Sequence, residues 1–279
     1  MSAAYHSLPR REVGGTHLCY DLHGEGPVVV FLHGFTLDLR MWEDQLPAFV
    51  PRFRVLRYDL RGFGRSDLPS VGAPYRPADD LRALLSSLGL SKVHLVGLSA
   101  GGAVALDFAL EHPDLVGRLV LVDSALGGFE WSPAVVEGWD RIDRLAQSDG
   151  VEAARQAWLA DPLFEGARNR PEVRERLETI LREYSGWHWL QESPSRGADP
   201  PAVQRLASVA SPTLVLAGEH DLPDFHRIAT VLAEGIPSAR RVSVPGAGHM
   251  LNMEAPAEFN RLVLEFLDSP APSRPAPPR

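Results

Sequence analysis

A chain of 279 residues with 44% hydrophobic and 23% charged residues carries enough apolar material for one large core or two small ones. Its formal net charge of -8 repels phosphate backbones and anionic membrane surfaces, which argues against nucleic acid or a membrane as partner. The single cysteine, Cys19, excludes an internal disulfide framework and any multi-cysteine metal site.

Met1 to Arg11 has no apolar signal-peptide region, and no stretch approaches the roughly 20 apolar residues that span a bilayer. A cytoplasmic location is the expectation. Cys19 lies in the strand-like run Thr16-His17-Leu18-Cys19-Tyr20 and reads as a small buried apolar residue. Val28 to Leu32 is a continuous apolar run ending at His33-Gly34, the signature of a buried strand. A helix over Met41 to Phe49 is stopped by Pro51, and Val55 to Tyr58 forms the next strand, ending at Asp59 and the glycine-rich Arg61 to Ser66.

Pro77 to Leu88 predicts a helix, with proline at its start, Asp79 and Asp80 in the first turn and Gly89 beyond its end. Val93 to Val96 predicts a strand, Gly97 to Gly102 a sharp turn, Ala103 to Leu110 a helix and Leu119 to Val122 a strand. After Gly127-Gly128 the texture turns helical, with charges and tryptophans interleaved, as far as about Leu206. Strands resume at Thr213 to Ala217 and Arg241 to Val244, and a last helix runs from Glu254 to Leu267. Strands on both sides of the helical stretch are needed to complete one sheet. The expected fold is therefore α/β, a mostly parallel sheet with helices on both faces: a core of residues 1–126 and 207–268, a helical insertion at 127–206, and a disordered proline-rich tail at 269–279.

Gly97-Leu98-Ser99-Ala100-Gly101 fits G-x-S-x-G with a strand before it and a helix after it. The turn exposes the serine hydroxyl at the carboxyl end of the strand, and the helix N-terminus beneath it favours developing negative charge. A serine hydroxyl needs a base, and the base an orienting carboxylate. Gly246-Ala247-Gly248-His249, after the final strand, supplies His249. Asp221, after the strand Thr213 to Ala217, is the preferred carboxylate, giving the chain order Ser, Asp, His; Asp123, Glu219 and Asp224 compete for the role. The backbone N–H groups of Ala100 and Phe35 are the candidate oxyanion donors.

His33 reads as a structural hydrogen-bonding residue, and Asp59 with Arg61 to Asp67 as a tight loop held by local side-chain bonds. Trp187, His188 and Trp189 either line a pocket or pack the insertion; Met250, beside the histidine, joins them as a candidate substrate contact. No H-E-x-x-H, Cys/His cluster, P-loop or strand-linked G-x-G-x-x-G occurs, so neither metal nor nucleotide cofactor is expected.

With His33-Gly34-Phe35, Tyr58 to Ser66, Gly97 to Gly102 and Gly248-His249 in this order, the chain resembles the α/β-hydrolase superfamily from Thr16 to about Leu267. It is most similar to the capped branch of carboxylesterases, 3-oxoadipate enol-lactonases, C–C bond hydrolases and cofactor-free haloperoxidases. The resemblance implies an eight-stranded sheet, a helical cap between the sixth and seventh strands, and an active site between cap and sheet. Ser99 separates the chain from epoxide hydrolases and haloalkane dehalogenases, which place an aspartate there; Ala100 departs from the methionine common in enol-lactonase-like and haloperoxidase-like members.

The expected activity is hydrolysis of a carboxylic ester of a small or medium apolar substrate. A lactonase, a C–C hydrolase of ring-cleavage products, and a non-catalytic small-molecule-binding member are the alternatives. A small molecule is the expected partner, and homo-oligomerisation is left open.

Overall fold

The computed structural model describes residues 5–269. Of the proline-rich tail expected at 269–279, residues 270–279 lie outside the described residues, and Ser269 is held: its N–H donates to the Glu265 carbonyl.

The strands are β1 (Arg10–Val13), β2 (Thr16–His23), β3 (Val28–Leu32), β4 (Arg54–Tyr58), β5 (Val93–Leu98), β6 (Val116–Val122), β7 (Thr213–Gly218) and β8 (Ala239–Val244). They form one eight-stranded sheet in the order β1-β2-β4-β3-β5-β6-β7-β8. The β1–β2 and β2–β4 pairs are antiparallel, and every pair from β4 onward is parallel. Parallel strands need crossover helices, which cover both faces and explain why β7 is buried at every residue and β3 at all but its first.

The helices of the core are α1 (Pro77–Ser87) and α2 (Ala100–Glu111). Between β6 and β7 the chain leaves the sheet to build a cap of α3 (Pro133–Ser148), α4 (Val151–Leu159), α5 (Pro171–Glu183) and α6 (Trp187–Leu190). It then returns to the core for α7 (Pro223–Gly235) and α8 (Pro256–Asp268).

The single helix expected over Met41 to Phe49 is instead a 3-10 segment, Leu39–Gln45, followed by one α-turn, Leu46–Phe49. Pro47 has no N–H to offer the Glu43 carbonyl, which takes the Leu46 N–H instead, and the chain tightens. Pro256 has the same effect on the last helix. The expected span from Glu254 divides into a turn at Leu251–Glu254 and α8, with proline at its first position.

The loop after β4 is tied as its composition implies. Asp59 is fully buried, its carboxylate accepting from the N–H groups of Leu39 (2.9 Å) and Arg65 (2.8 Å) and from the Tyr5 hydroxyl (2.8 Å). Burial, reinforced by the nearby Asp38, raises its carboxyl to about 7.

Candidate active site

Ser99 stands where β5 turns into α2, at φ 54° and ψ -119°. Only small neighbours permit the turn. A Cβ on Gly97 would lie 2.3 Å from the Gly101 carbonyl oxygen, and one on Gly101 2.3 Å from that of Leu32. The glycines of the motif are therefore there so that strand, elbow and helix can touch. As the first residue of α2, Ala100 has no intrahelical acceptor for its N–H.

Phe35 follows β3 and lines the same cavity as Ala100. Its loop is held from the cap: the Trp158 indole donates to the Thr36 hydroxyl (2.8 Å), which donates to the Phe35 carbonyl (2.6 Å). Just before it, His33 is fully buried and accepts the Leu60 N–H at Nε2 (2.9 Å). Nδ1 therefore carries the proton and donates to the Gly34 carbonyl (2.8 Å), and burial lowers this imidazole to about 4, so it stays neutral. That is a structural role.

His249 lies on the loop after β8, with Nδ1 2.8 Å from Asp221 Oδ2. Both side chains are buried, and the other Asp221 oxygen accepts the Leu222 N–H (2.7 Å). A proton on Nδ1 leaves Nε2 as the basic nitrogen. The Phe225 ring packs 4.3 Å from the imidazole. His249 and Ser99 line one cavity, with no hydrogen bond between them among the described residues.

The competing carboxylates have other occupations. Asp224 caps the Ser132 N–H (2.9 Å) and pairs with Arg227, and Glu219 accepts the Gly246 N–H (2.9 Å). Asp123 is buried beside the Asp221–His249 pair, its Oδ1 accepting the Gly218 N–H (2.8 Å). Burial first, then the charge of Asp221, holds its carboxyl well above the usual range. Its other oxygen, Oδ2, is buried and has no hydrogen-bond partner among the described residues.

Sequence reasoning missed Glu254, which clamps the histidine loop. Its buried carboxylate accepts the N–H groups on either side of His249, from Gly248 (2.8 Å) and Met250 (3.1 Å). Arg170, at the start of α5, donates to Glu254 (3.1 Å) and to the Gly246 carbonyl (2.7 Å). The available signal was an acid five places after the histidine. Only the loop's return path shows what it does.

The cavity between sheet and cap measures about 540 Å³ and is lined mainly by apolar and aromatic side chains, among them Phe35, Trp158, Phe164 and Trp189. Of the predicted contacts, His188, Trp189 and Met250 line it. Trp187 is not among the lining residues and packs edge-on to His188. In a helix as short as α6, residues two apart point to nearly opposite sides, so Trp187 and Trp189 cannot both face inward. His188 stacks on Phe63 (4.3 Å, 9°), and burial lowers it to about 4.

Among the described residues, two groups of side chains bring three ligand-type atoms together. In Asp123/Asp221/His249, Asp123 Oδ1 and Asp221 Oδ1 accept backbone N–H groups and Asp221 Oδ2 pairs with His249 Nδ1, while Asp123 Oδ2 has no partner among the described residues. In Asp79/Glu111/His112, at the surface, Glu111 is paired with Arg76.

The chain belongs to the α/β-hydrolase fold family, whose profile matches residues 27–256. It is similar to the enol-lactonase from Burkholderia xenovorans LB400, with TM-score 0.81 and 29% identity covering 94% of this chain and 100% of the other. A thermophilic esterase from Thermogutta terrifontis matches with TM-score 0.78 and 31% identity over 93% of this chain and 98% of its own. A 2-hydroxy-6-oxononadienedioate/2-hydroxy-6-oxononatrienedioate hydrolase of Cupriavidus pinatubonensis (strain JMP 134 / LMG 1197) is 30% identical over 267 residues, 89% of each chain. No helix among the described residues is long and apolar enough to cross a membrane.

Proposed function

We propose that the chain is a serine hydrolase that cleaves carboxylic esters of small or medium apolar acids or alcohols through an acyl-enzyme. The observation that carries this reading is the buried 2.8 Å Asp221–His249 pair, set in the wall of the cavity to which the elbow exposes Ser99. His249 Nε2 takes the Ser99 proton as Oγ bonds to the ester carbonyl carbon, and Asp221 holds the imidazole in the required tautomer. The N–H groups of Phe35 and Ala100 receive the oxyanion. Collapse breaks the bond to the alcohol oxygen, which leaves with the proton from His249. Water then attacks the acyl-Ser99 with His249 as base, releasing the acid and restoring the serine.

The likeness to an enol-lactonase and to a dioate-cleaving hydrolase supports a second reading, in which the same serine and histidine open a lactone or break a C–C bond. The 127–206 segment is the cap that selects among these substrates, since its helices supply Trp139, Trp158 and Trp189 to the cavity.

The test is mass spectrometry after fluorophosphonate treatment, with hydrolysis of short and medium p-nitrophenyl esters by wild type and Ser99→Ala. One adduct on Ser99 and loss of turnover in the variant are expected. No adduct and no serine-dependent turnover would leave the non-catalytic binding reading. A preference for enol-lactones or vinylogous diketones over aryl esters would replace the ester label and keep the serine.

A further inference from the structure

The cavity's polar groups bear on the charge of what enters it. Arg61, Arg196, Asp107 and Asp143 are its formally charged lining residues apart from the two histidines, and His188 is neutral for the reason given above. Arg61 is already matched: Nε donates to Asp80 Oδ2 (2.9 Å), Nη2 donates to Oδ1 (2.5 Å), and the guanidinium lies 4.4 Å over the Tyr75 ring. Arg196 is exposed to water and gives Nη1 to the carbonyls of Ser195 (3.0 Å) and Ser193 (3.4 Å).

The two aspartates have no such match. Neither Asp107, on α2, nor Asp143, on α3, has an ion-pair partner within 4.0 Å among the described residues, although Asp107 accepts the Ala198 N–H (3.0 Å). Burial raises Asp107 to about 6 and also raises Asp143, so these walls already resist the anions they hold.

Resting on the serine-hydrolase reading, we propose that this cavity selects uncharged substrates and discriminates against those carrying a second carboxylate. An incoming carboxylate loses its hydration to aromatic walls, meets two like charges, and finds the part-buried Arg61 guanidinium already paired with Asp80. An uncharged aryl or alkyl group loses nothing comparable and gains from leaving water. Within the reactions considered, this favours esters and lactones of monoacids over dioates.

The test compares p-nitrophenyl pentanoate, mono-p-nitrophenyl glutarate and its methyl ester, which share an acyl length and differ in terminal charge. For the glutarate monoanion kcat/KM is expected to be at least about 30-fold below that of the pentanoate. The methyl ester should recover most of the difference, separating charge from size. Asp107→Asn combined with Asp143→Asn should shrink the pentanoate-to-glutarate ratio at least about threefold. Equal turnover of the anion and its methyl ester would overturn the charge selection while leaving the serine mechanism intact. Failure of all three esters, with no fluorophosphonate adduct on Ser99, would instead overturn the serine-hydrolase reading and this inference with it.

Discussion

At Ser99 the backbone occupies a region that costs a residue bearing a Cβ about 1–3 kcal/mol, and the packing of β5, α2 and the β3 loop holds it there. The partners of His249 are set with similar care. Asp221→Asn is expected to lower kcat about 10⁴-fold, because the amide favours the wrong imidazole tautomer. Asp123→Asn should stay within about tenfold of wild type, since the amide keeps an acceptor for the Gly218 N–H and Oδ2 of Asp123 bonds no other group among the described residues. Kinetics of both variants on one p-nitrophenyl ester check this, and an Asp123→Asn loss as deep as that of Asp221→Asn would reverse their roles. Glu254→Gln turns one acceptor of the histidine loop into a donor facing an N–H. We expect kcat to fall about 10- to 100-fold with KM changed less than about threefold. A change confined to KM would remove Glu254 from the positioning of His249.

Between elements, the cap reaches the site by specific bonds. α4 sends the Trp158 indole to Thr36 beside the Phe35 N–H, and the start of α5 sends Arg170 to the loop that carries His249. Trp158→Phe keeps most of the apolar surface and deletes the bond, so a loss of about 1 kcal/mol, or roughly fivefold in kcat/KM, is expected. Unchanged kinetics would show that the Phe35 loop holds its place without the cap. The elements also differ in how clearly the chain announced them. α7 carries its signals openly, with Pro223 at its start, Asp224 in its first turn and apolar residues buried at 225, 228, 229 and 232. β1 carries almost none. It buries only Val13 and exists because β2 offers it an edge.

For the molecule as a whole, buried titratable groups pull stability in opposite directions with pH. His33, His94 and His188 are each lowered to about 4 from 6.5, so the unfolded chain binds protons that the folded chain refuses. Their contribution is present above 6.5 and is lost as the pH falls through about 4. Asp107 has the opposite sign. Raised from 3.8 to about 6, it holds a proton in the folded state that the unfolded state has released. Its contribution is full below 3.8 and is lost as the pH rises through about 6. Asp107→Asn removes that response. Its Tm relative to wild type should therefore fall by a few degrees between pH of about 7 and about 4.5 in paired thermal melts. Parallel curves would mean that Asp107 titrates as an exposed acid.

The chain's linear order was enough to establish the alternation of strand and helix, the insertion between β6 and β7, the elbow at Ser99 and the candidates His249 and Asp221. These are local signals: a continuous apolar run, a glycine pair that lets two backbones touch, a residue just beyond a strand. Everything that depends on which segments meet was decided by the tertiary structure. Asp221 and Asp123 both follow strands, and only the loop after β8 shows that His249 bonds to the first with the second buried alongside. Trp187 and Trp189 look equivalent in the chain, and only the facing of one helical turn separates them. Arg61 reads in the chain as part of a tight loop held by local bonds, and the fold pairs it instead with Asp80, nineteen residues on. Local sequence sets backbone preference, whereas hydrogen bonding, burial and charge are properties of neighbours, and the fold chooses the neighbours.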